Sequence, residues 1–459
     1  MIKEIKEFRE FEDFNELEEP YRLRLGIKNK NYVICFVLLS ACTIFAIMDY
    51  KVFAPGRVAC EVGLPASKSI SNRVLIINAL AGGDSAVTNV AKCDDTDAMV
   101  NALSQKDATQ VNIGAAGTAM RFLTGYYAVQ EGRTVVLDGS ERMRHRPIKI
   151  LVDALRSCGA QIEYAGEEGF PPLKISGTKL RATEIAIPGN VSSQYISSLL
   201  MISPLIEGME RVKLTGDVIS RPYIDMTLSL MAQFGVRTYW EGNDVVLEKG
   251  AKYAPLAFVV ENDWSAASYW FQIQALLADS DIKLAGLFEE STQGDSALAR
   301  LFEPLGVNCS WSGESLALSA GGVKENAVLE MDLIENPDLA QTIIVTACVL
   351  DQPFHITGLQ TLKIKETDRI EALRTQLLKM GYVLNVGEDL SMSWDGTKCA
   401  AHDEIRIDTL DDHRMAMAFA PAAVKFPGII INNAEVVSKS YPEYWAHLKN
   451  AGFVLEEVK

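Results

Sequence analysis

The eight cysteines and five histidines never form a C-x-x-C pair or an H-x-x-x-H motif. Cys35, Cys42, Cys60, Cys93, Cys158, Cys309, Cys348 and Cys399 are scattered, mostly within apolar runs. A zinc site and a disulfide framework are both disfavoured, and buried free thiols in a reducing compartment fit better. No metal site is expected. The sequence also lacks a G-x-x-x-x-G-K-[ST] nucleotide loop and a G-x-S-x-G nucleophile elbow. Positive charge is in short supply, with 44 Lys and Arg against 60 Asp and Glu, a formal net charge of -16. Neither nucleic acid nor an anionic membrane is therefore an expected partner. A small anion stays compatible, because a few cations can gather locally.

What is present is a long chain of ordinary globular composition: 459 residues, 48% hydrophobic and 23% charged. That length implies about two or three domains. The first fifty residues differ in kind. Met1–Glu19 is acidic, Arg22, Arg24, Lys28 and Lys30 follow, and Tyr32–Met48 is apolar but slightly short of the roughly 20 residues that span a bilayer. Leu39-Ser40-Ala41-Cys42 resembles a lipoprotein processing site, yet the preceding stretch is too long and too acidic for an ordinary signal peptide. Residues 1–47 are expected to be an N-terminal extension outside the core, with Met48 as the working start. A membrane anchor or export signal and an ordinary packed element are the alternatives.

Beyond it one pattern recurs: a short apolar strand ending in Gly or Asn, a charged loop, then a helix closed by Gly. Strand ends at Gly139, Gly216, Gly286, Gly358 and Asn433 are followed by helix stops at Gly159, Gly235, Gly306, Gly381 and Gly452, and a weaker first copy lies at Ala86–Asn89. Glycine after the strand suits a turn with positive φ, and glycine after the helix is the usual stop. Repeats of this size mean one supersecondary unit reused, and six copies suggest two domains of three. A second helix lies between copies, starting near Ser67, Gly117, Ser192, Asp263, Asn336 and Asp412, where capping residues gather. Several such starts carrying charges or amides suggest a shared anion-binding face.

The chemistry-bearing segments fall at these starts. In Ser67-Lys68-Ser69 with Arg73, residues 69 and 73 share a helix face, and two hydroxyls with two cations suit a phosphate. A capped surface helix with solvated cations is the bland reading. Gly114–Arg121 puts small residues where backbone must approach a ligand, unless it only packs two helices together. Ser192-Ser193-Gln194 offers three polar side chains where capping needs one. Arg142, Arg144 and Arg146 form either an anion site or a solvated loop. In Lys365–Arg369, Glu366 and Arg369 are spaced as a surface pair would be. Asp411–Met417 opens the last apolar helix, and Lys439–Pro442 lies in the last strand–loop–helix. Many cations with two or three carboxylates suit two anionic substrates and proton transfer without a covalent enzyme intermediate.

Taken together, LPASKSISNR, GTAMR, RMRHRPI, SSQY, SRPYID, KETDR and DDHRMAM closely resemble the enolpyruvyl transferase family, and within it the branch acting on shikimate 3-phosphate. The likeness runs from about Lys51 to the C-terminus. It implies an α/β (α+β) fold of two similar domains, each of three βαβαββ units, with helix N-termini facing an interdomain cleft. The first domain would be residues 64–262, and the second residues 48–63 with 263–459. The implied reaction moves the enolpyruvyl group of phosphoenolpyruvate to the 5-hydroxyl of shikimate 3-phosphate and releases phosphate through a tetrahedral intermediate. That is the sixth step of the shikimate pathway to chorismate and the aromatic amino acids. By the same resemblance Asp338, Glu366 and Lys68 are catalytic. Ser69, Arg73, Ser192, Ser193, Gln194, Ser220, Tyr223, Asp338, Thr361 and Lys365 bind shikimate 3-phosphate. Lys68, Gly117, Arg121, Arg142, Gln194, Arg369, Arg414 and Lys439 bind phosphoenolpyruvate. No cofactor is implied, the two substrates are the only partners, and a cytoplasmic monomer is expected. Glyphosate sensitivity follows from glycine at 117. Ala66, Ala115, Phe122 and Thr361 depart from the family's commonest residues. The sister enzyme acting on UDP-N-acetylglucosamine would carry a cysteine in Ser140–Ile148, which has none. An inactive sugar-phosphate binder would not be expected to keep Lys68, Asp338, Glu366 and Lys439.

Overall fold

A computed structural model describes residues 48–458 apart from 84, 314 and 323–327. The expectations for residues 1–47 lie outside the described residues. From Met48 onward the chain forms one compact unit with two separate apolar cores.

One sheet pattern is used five times. Gln110–Asn112 runs parallel to Thr134–Asp138, which pairs antiparallel with Leu173–Ser176, itself antiparallel to Gln161–Tyr164. The same order, a parallel pair followed by a hairpin, holds for the sheets centred on Arg211–Thr215, Asp281–Ala285 and Phe354–Thr357. In the fifth, Ile429–Ile431 lies beside Asp49–Phe53, so an early strand takes the place a hairpin strand fills elsewhere. The sixth copy is a parallel pair, Val87–Thr88 with Phe258–Val259. The recurring strand ends seen in the sequence are thus the ends of the second strand in each unit. Alternation explains their one-sided burial: in Thr134–Asp138 only Val135 and Leu137 are fully buried. Gly216, Gly286, Gly358 and Asn433 adopt the expected positive φ. Gly139 does not. There a Cβ would sit 2.6 Å from the Gly114 carbonyl oxygen, so close approach of backbone, not handedness, requires glycine.

Six inner helices form the cores: α1 (Lys68–Leu80), α2 (Gly117–Ala128), α3 (Ser193–Ile202), α4 (Trp264–Leu276), α5 (Ala340–Val349) and α6 (His413–Phe419). They are buried on nearly every face, and all ten residues of α5 are buried, as expected for helices that are apolar all round. Helices α1 to α3 belong to a core spanning Ala66 to Val260. Helices α4 to α6 belong to one built from Tyr50–Leu64 and Trp264–Phe453. The chain crosses between the cores twice, side by side: Ser67 N–H donates to the Glu261 carbonyl and Asp263 N–H to the Pro65 carbonyl, each at 2.8 Å. This pairing fixes the starts of α1 and α4 against each other. Among the described residues no helix is long and apolar enough to cross a membrane.

Candidate active site

The starts of five inner helices and the Pro337–Leu339 turn that leads into α5 converge on one open cleft. Helix α1 is capped by Ser67, whose hydroxyl accepts from Ile70 N–H, leaving Lys68 and Ser69 facing the cleft. Helix α3 starts without a side-chain cap at Ser192, so the Ser192 hydroxyl stays available at the helix's positive end. Of the expected residues, Lys68, Ser69, Arg73, Gly117, Arg121, Ser192, Ser193, Gln194, Ser220, Tyr223, Asp338, Thr361, Lys365, Glu366, Arg369 and Arg414 line this cleft. Lys439 lies at its edge in an adjoining cavity, with its ammonium 3.3 Å from Glu366.

The two carboxylates sit among cations. Asp338 lies 3.2 Å from both the Lys365 ammonium and the Arg369 guanidinium, and 3.0 Å from the Arg414 guanidinium. Burial alone would raise its carboxyl, but Arg414, Lys365 and Arg369 outweigh that and hold it well below the usual carboxylate range. Glu366 lies 2.9 Å from Arg369. Its burial is likewise outweighed, by Lys439, Arg369 and Arg146. Both groups are ionised at neutral pH in this arrangement. Arg369 is held by buried Asp412, with Nε 2.7 Å from Oδ2. Asp412 also caps α6 by accepting from Arg414 N–H, so one carboxylate aims two arginines. Lys68 lies 3.5 Å from buried Asp95, which outweighs the cost of burial and keeps the ammonium charged.

Two of the buried cleft arginines have no such partner. Among the described residues, neither Arg73 nor Arg121 has a carboxylate within 4 Å, and both are nearly fully buried. Burial pushes each guanidinium down to about 10, and for Arg121 the neighbouring Arg146 adds to the effect. Arg73 donates to the Thr227 and Ser197 hydroxyls and the Ser69 and Tyr223 carbonyls. A buried cation held only by neutral acceptors is poised for an anion. On the opposite wall the buried Thr361 hydroxyl has no hydrogen-bond partner.

The three loop arginines separate. Arg144 turns back to Asp138 at 2.6 Å. Arg142, expected to bind phosphoenolpyruvate, lies in the adjoining cavity with Lys439 and Glu366 and not in the main cleft. It reaches across the rim to Asp411 at 3.0 Å and to the Leu410 and Glu366 carbonyls. Those acceptors on the facing lobe draw it outward. Arg146 enters the cleft instead, close to Gly117 and Arg121. Nothing in the sequence singles out Arg146, because three arginines at alternate positions give no sign of which turns inward. Asp412 and His413 are legible only as part of a helix start, and Asp95 carries no mark at all. His413 lines the cleft, and burial, Lys68 and Arg414 hold its imidazole well below its ordinary value, so it is a neutral wall.

Repeated βαβαββ units whose inner helices start at a cation-rich cleft between two cores define the class of enolpyruvyl transferases. The family described as EPSP synthase (3-phosphoshikimate 1-carboxyvinyltransferase) matches residues 52–109 and 101–448. The chain belongs to this EPSP synthase family. It is 50% identical over 406 residues to a Bacteroides fragilis 3-phosphoshikimate 1-carboxyvinyltransferase, covering 88% of this chain and 98% of that one. It is 38% identical over 415 residues to the Vibrio cholerae protein of the same name, covering 84% and 96%. An Acinetobacter baumannii EPSP synthase structure shares the fold with a TM-score of 0.71 at 23% identity, covering 90% of this chain and 100% of that one.

Proposed function

We propose that this chain transfers the enolpyruvyl group of phosphoenolpyruvate to the 5-hydroxyl of shikimate 3-phosphate and releases phosphate. The observation that carries the reading is the pair of ionised carboxylates on the second core, each held by several cations, facing a cleft that helix starts of the first core also line. Arg73, Ser69 and Ser192–Gln194 hold the acceptor, with Ser220, Tyr223, Thr361 and Lys365 completing its site. Arg369 and Arg414 hold the donor carboxylate, and Lys68, Arg121 and Lys439 its phosphate. Arg142 and Arg146, which line the cavity of Glu366 and Lys439 together, complete the donor site.

Asp338 takes the proton of the 5-hydroxyl as its oxygen bonds to the central carbon of the donor. Glu366 delivers a proton to the methylene carbon, which becomes a methyl group. The carbon–oxygen bond to phosphate then breaks, phosphate leaves with the electron pair and takes up the proton held by Asp338, and the methyl group returns a proton to Glu366. Held by cations, both carboxylates are weak bases. Anionic substrates that take over Arg414, Lys439 and Arg146 raise both toward a working range, so substrate binding prepares the proton transfers. The two cores are read as domains of residues 64–262 and of 48–63 with 263–459, which close on the substrates and exclude water. A cytoplasmic monomer is the setting, and the six free cysteines among the described residues support a reducing compartment. Phosphate release from phosphoenolpyruvate, assayed with each acceptor, tests the reading. Turnover with shikimate 3-phosphate alone is expected. Turnover with UDP-N-acetylglucosamine instead, or with neither, would overturn it.

A further inference from the structure

Asp295 is a buried carboxylate that the reaction does not use. It lies in the short turn Gly294–Ala297, is 3% exposed and does not line the cleft. Its Oδ1 accepts from the Tyr223 hydroxyl at 3.0 Å and from the Asn336 amide at 3.4 Å, and its Oδ2 from the Ser265 hydroxyl. Tyr223 comes from the core of α1 to α3, while Asp295, Asn336 and Ser265 belong to the other side. The two sides touch closely here: a Cβ on Gly294 would fall 2.2 Å from Pro222 Cβ, and Ser220 N–H donates to the Ile334 carbonyl at 3.1 Å. Asn336 also donates to the Gly294 carbonyl at 2.9 Å and opens the turn Pro337–Leu339 that carries Asp338.

We propose that Asp295 is a positioning residue whose single carboxylate oxygen joins the acceptor-side Tyr223 to the Asn336 turn bearing Asp338, so that seating the acceptor and aiming the base are one event. This rests on the functional reading above. Among the described residues no cation lies within 4 Å of Asp295. Burial and the nearby Asp338 raise its carboxyl, Ser265 and Arg414 oppose them, and Asp263 and Tyr223 are the other titratable groups facing it. An isosteric amide therefore keeps the geometry: in Asp295→Asn the amide oxygen accepts from Tyr223 and the amide nitrogen donates to Ser265.

The test is steady-state kinetics with both substrates varied on Asp295→Ala, Asp295→Asn, Tyr223→Phe and the Asp295→Ala/Tyr223→Phe double variant. Leaving the Tyr223 and Ser265 hydroxyls without an acceptor, and the Asn336 amide with the Gly294 carbonyl alone, is expected to raise the acceptor KM about tenfold and lower kcat about tenfold, with donor KM changed less than about threefold. Asp295→Asn is expected to recover to within about threefold of wild type. The double variant is expected to be little worse than Asp295→Ala, a non-additivity of about fivefold or more. Asp295→Ser replaces Asp295→Ala in the cycle if the alanine variant does not fold. Additive effects, equal rises in both KM values, or no recovery in Asp295→Asn would overturn the proposal. A wild type without turnover would instead sink the functional reading on which the proposal stands.

Discussion

Replacing Gly117 by alanine probes the donor pocket through one methyl group. Gly117 opens α2, and its Cβ would lie 2.6 Å from Arg146 Nη1, 3.3 Å from Arg146 Cζ and 3.2 Å from Arg121 Nη1. No real contact is that short, so a guanidinium must move. Arg146 is the end of a flexible side chain and moves at little cost to folding, while alanine suits a helix better than glycine by about 0.5–1 kcal/mol. Tm is therefore expected to hold or rise slightly. Function is another matter. A displaced Arg146 loses a charge-assisted hydrogen bond to the donor phosphate worth about 1.5–3 kcal/mol, or roughly 10- to 150-fold in donor KM. Glyphosate, the anion that competes with the donor by family resemblance, is longer and should lose more than the donor does, while the wild type is expected to be sensitive. The assay is donor KM and glyphosate inhibition for wild type, Gly117→Ala, Arg146→Ala and the double variant. Because the methyl group acts through Arg146, the double variant should resemble Arg146→Ala. Independent, multiplying effects, or an unchanged donor KM in Gly117→Ala, would refute the reasoning.

Arg142→Ala and Arg146→Ala should each cost on the order of 100-fold in the phosphate-release assay, since both line the cavity of Glu366 and Lys439, while loss of the solvent-exposed Arg142–Asp411 pair should barely move Tm. Lys68→Ala should also cost on the order of 100-fold, and because it strands buried Asp95 it should lower Tm as well, read by calorimetry. Donor binding should take up protons. Glu366 is ionised while Lys439, Arg369 and Arg146 hold its carboxyl below the usual range, and a donor that occupies those cations raises it, so protons move onto the protein at mildly acidic pH. Binding calorimetry in buffers of different ionisation enthalpy measures this, and proton release, or no exchange, would contradict it.

Much of the architecture was legible because its repeats are written in local chemistry. Strand, glycine and helix stop recur at similar spacing, and the inner helices open on capping or charged residues and continue into largely apolar bodies. Gly139 shows the limit of that reading, since a glycine required by the Gly114 carbonyl looks the same in sequence as one required by positive φ. The use of Asp49–Phe53 inside the last sheet was equally hidden, because pairing between distant segments leaves no local mark. Site residues at helix starts could be found from their positions. Those chosen by contacts across the cleft could not: Arg142 and Arg146 are separated only by what faces them, and Asp295 only by Tyr223 and Asn336 brought to it from elsewhere in the chain. The pairing of Lys68 with Asp95 and of Lys439 with Glu366 likewise appears only when distant segments meet within each folded core.

The most direct test of the central claim is turnover in deuterium oxide with phosphoenolpyruvate and shikimate 3-phosphate, followed by NMR of the products. Protonation of the methylene carbon and loss of a proton from the resulting methyl group predict deuterium in the vinyl methylene of a shikimate-linked enol ether, with phosphate released in equal amount. Phosphate release without that enol ether, or an enol ether whose methylene carries no deuterium, would contradict the account.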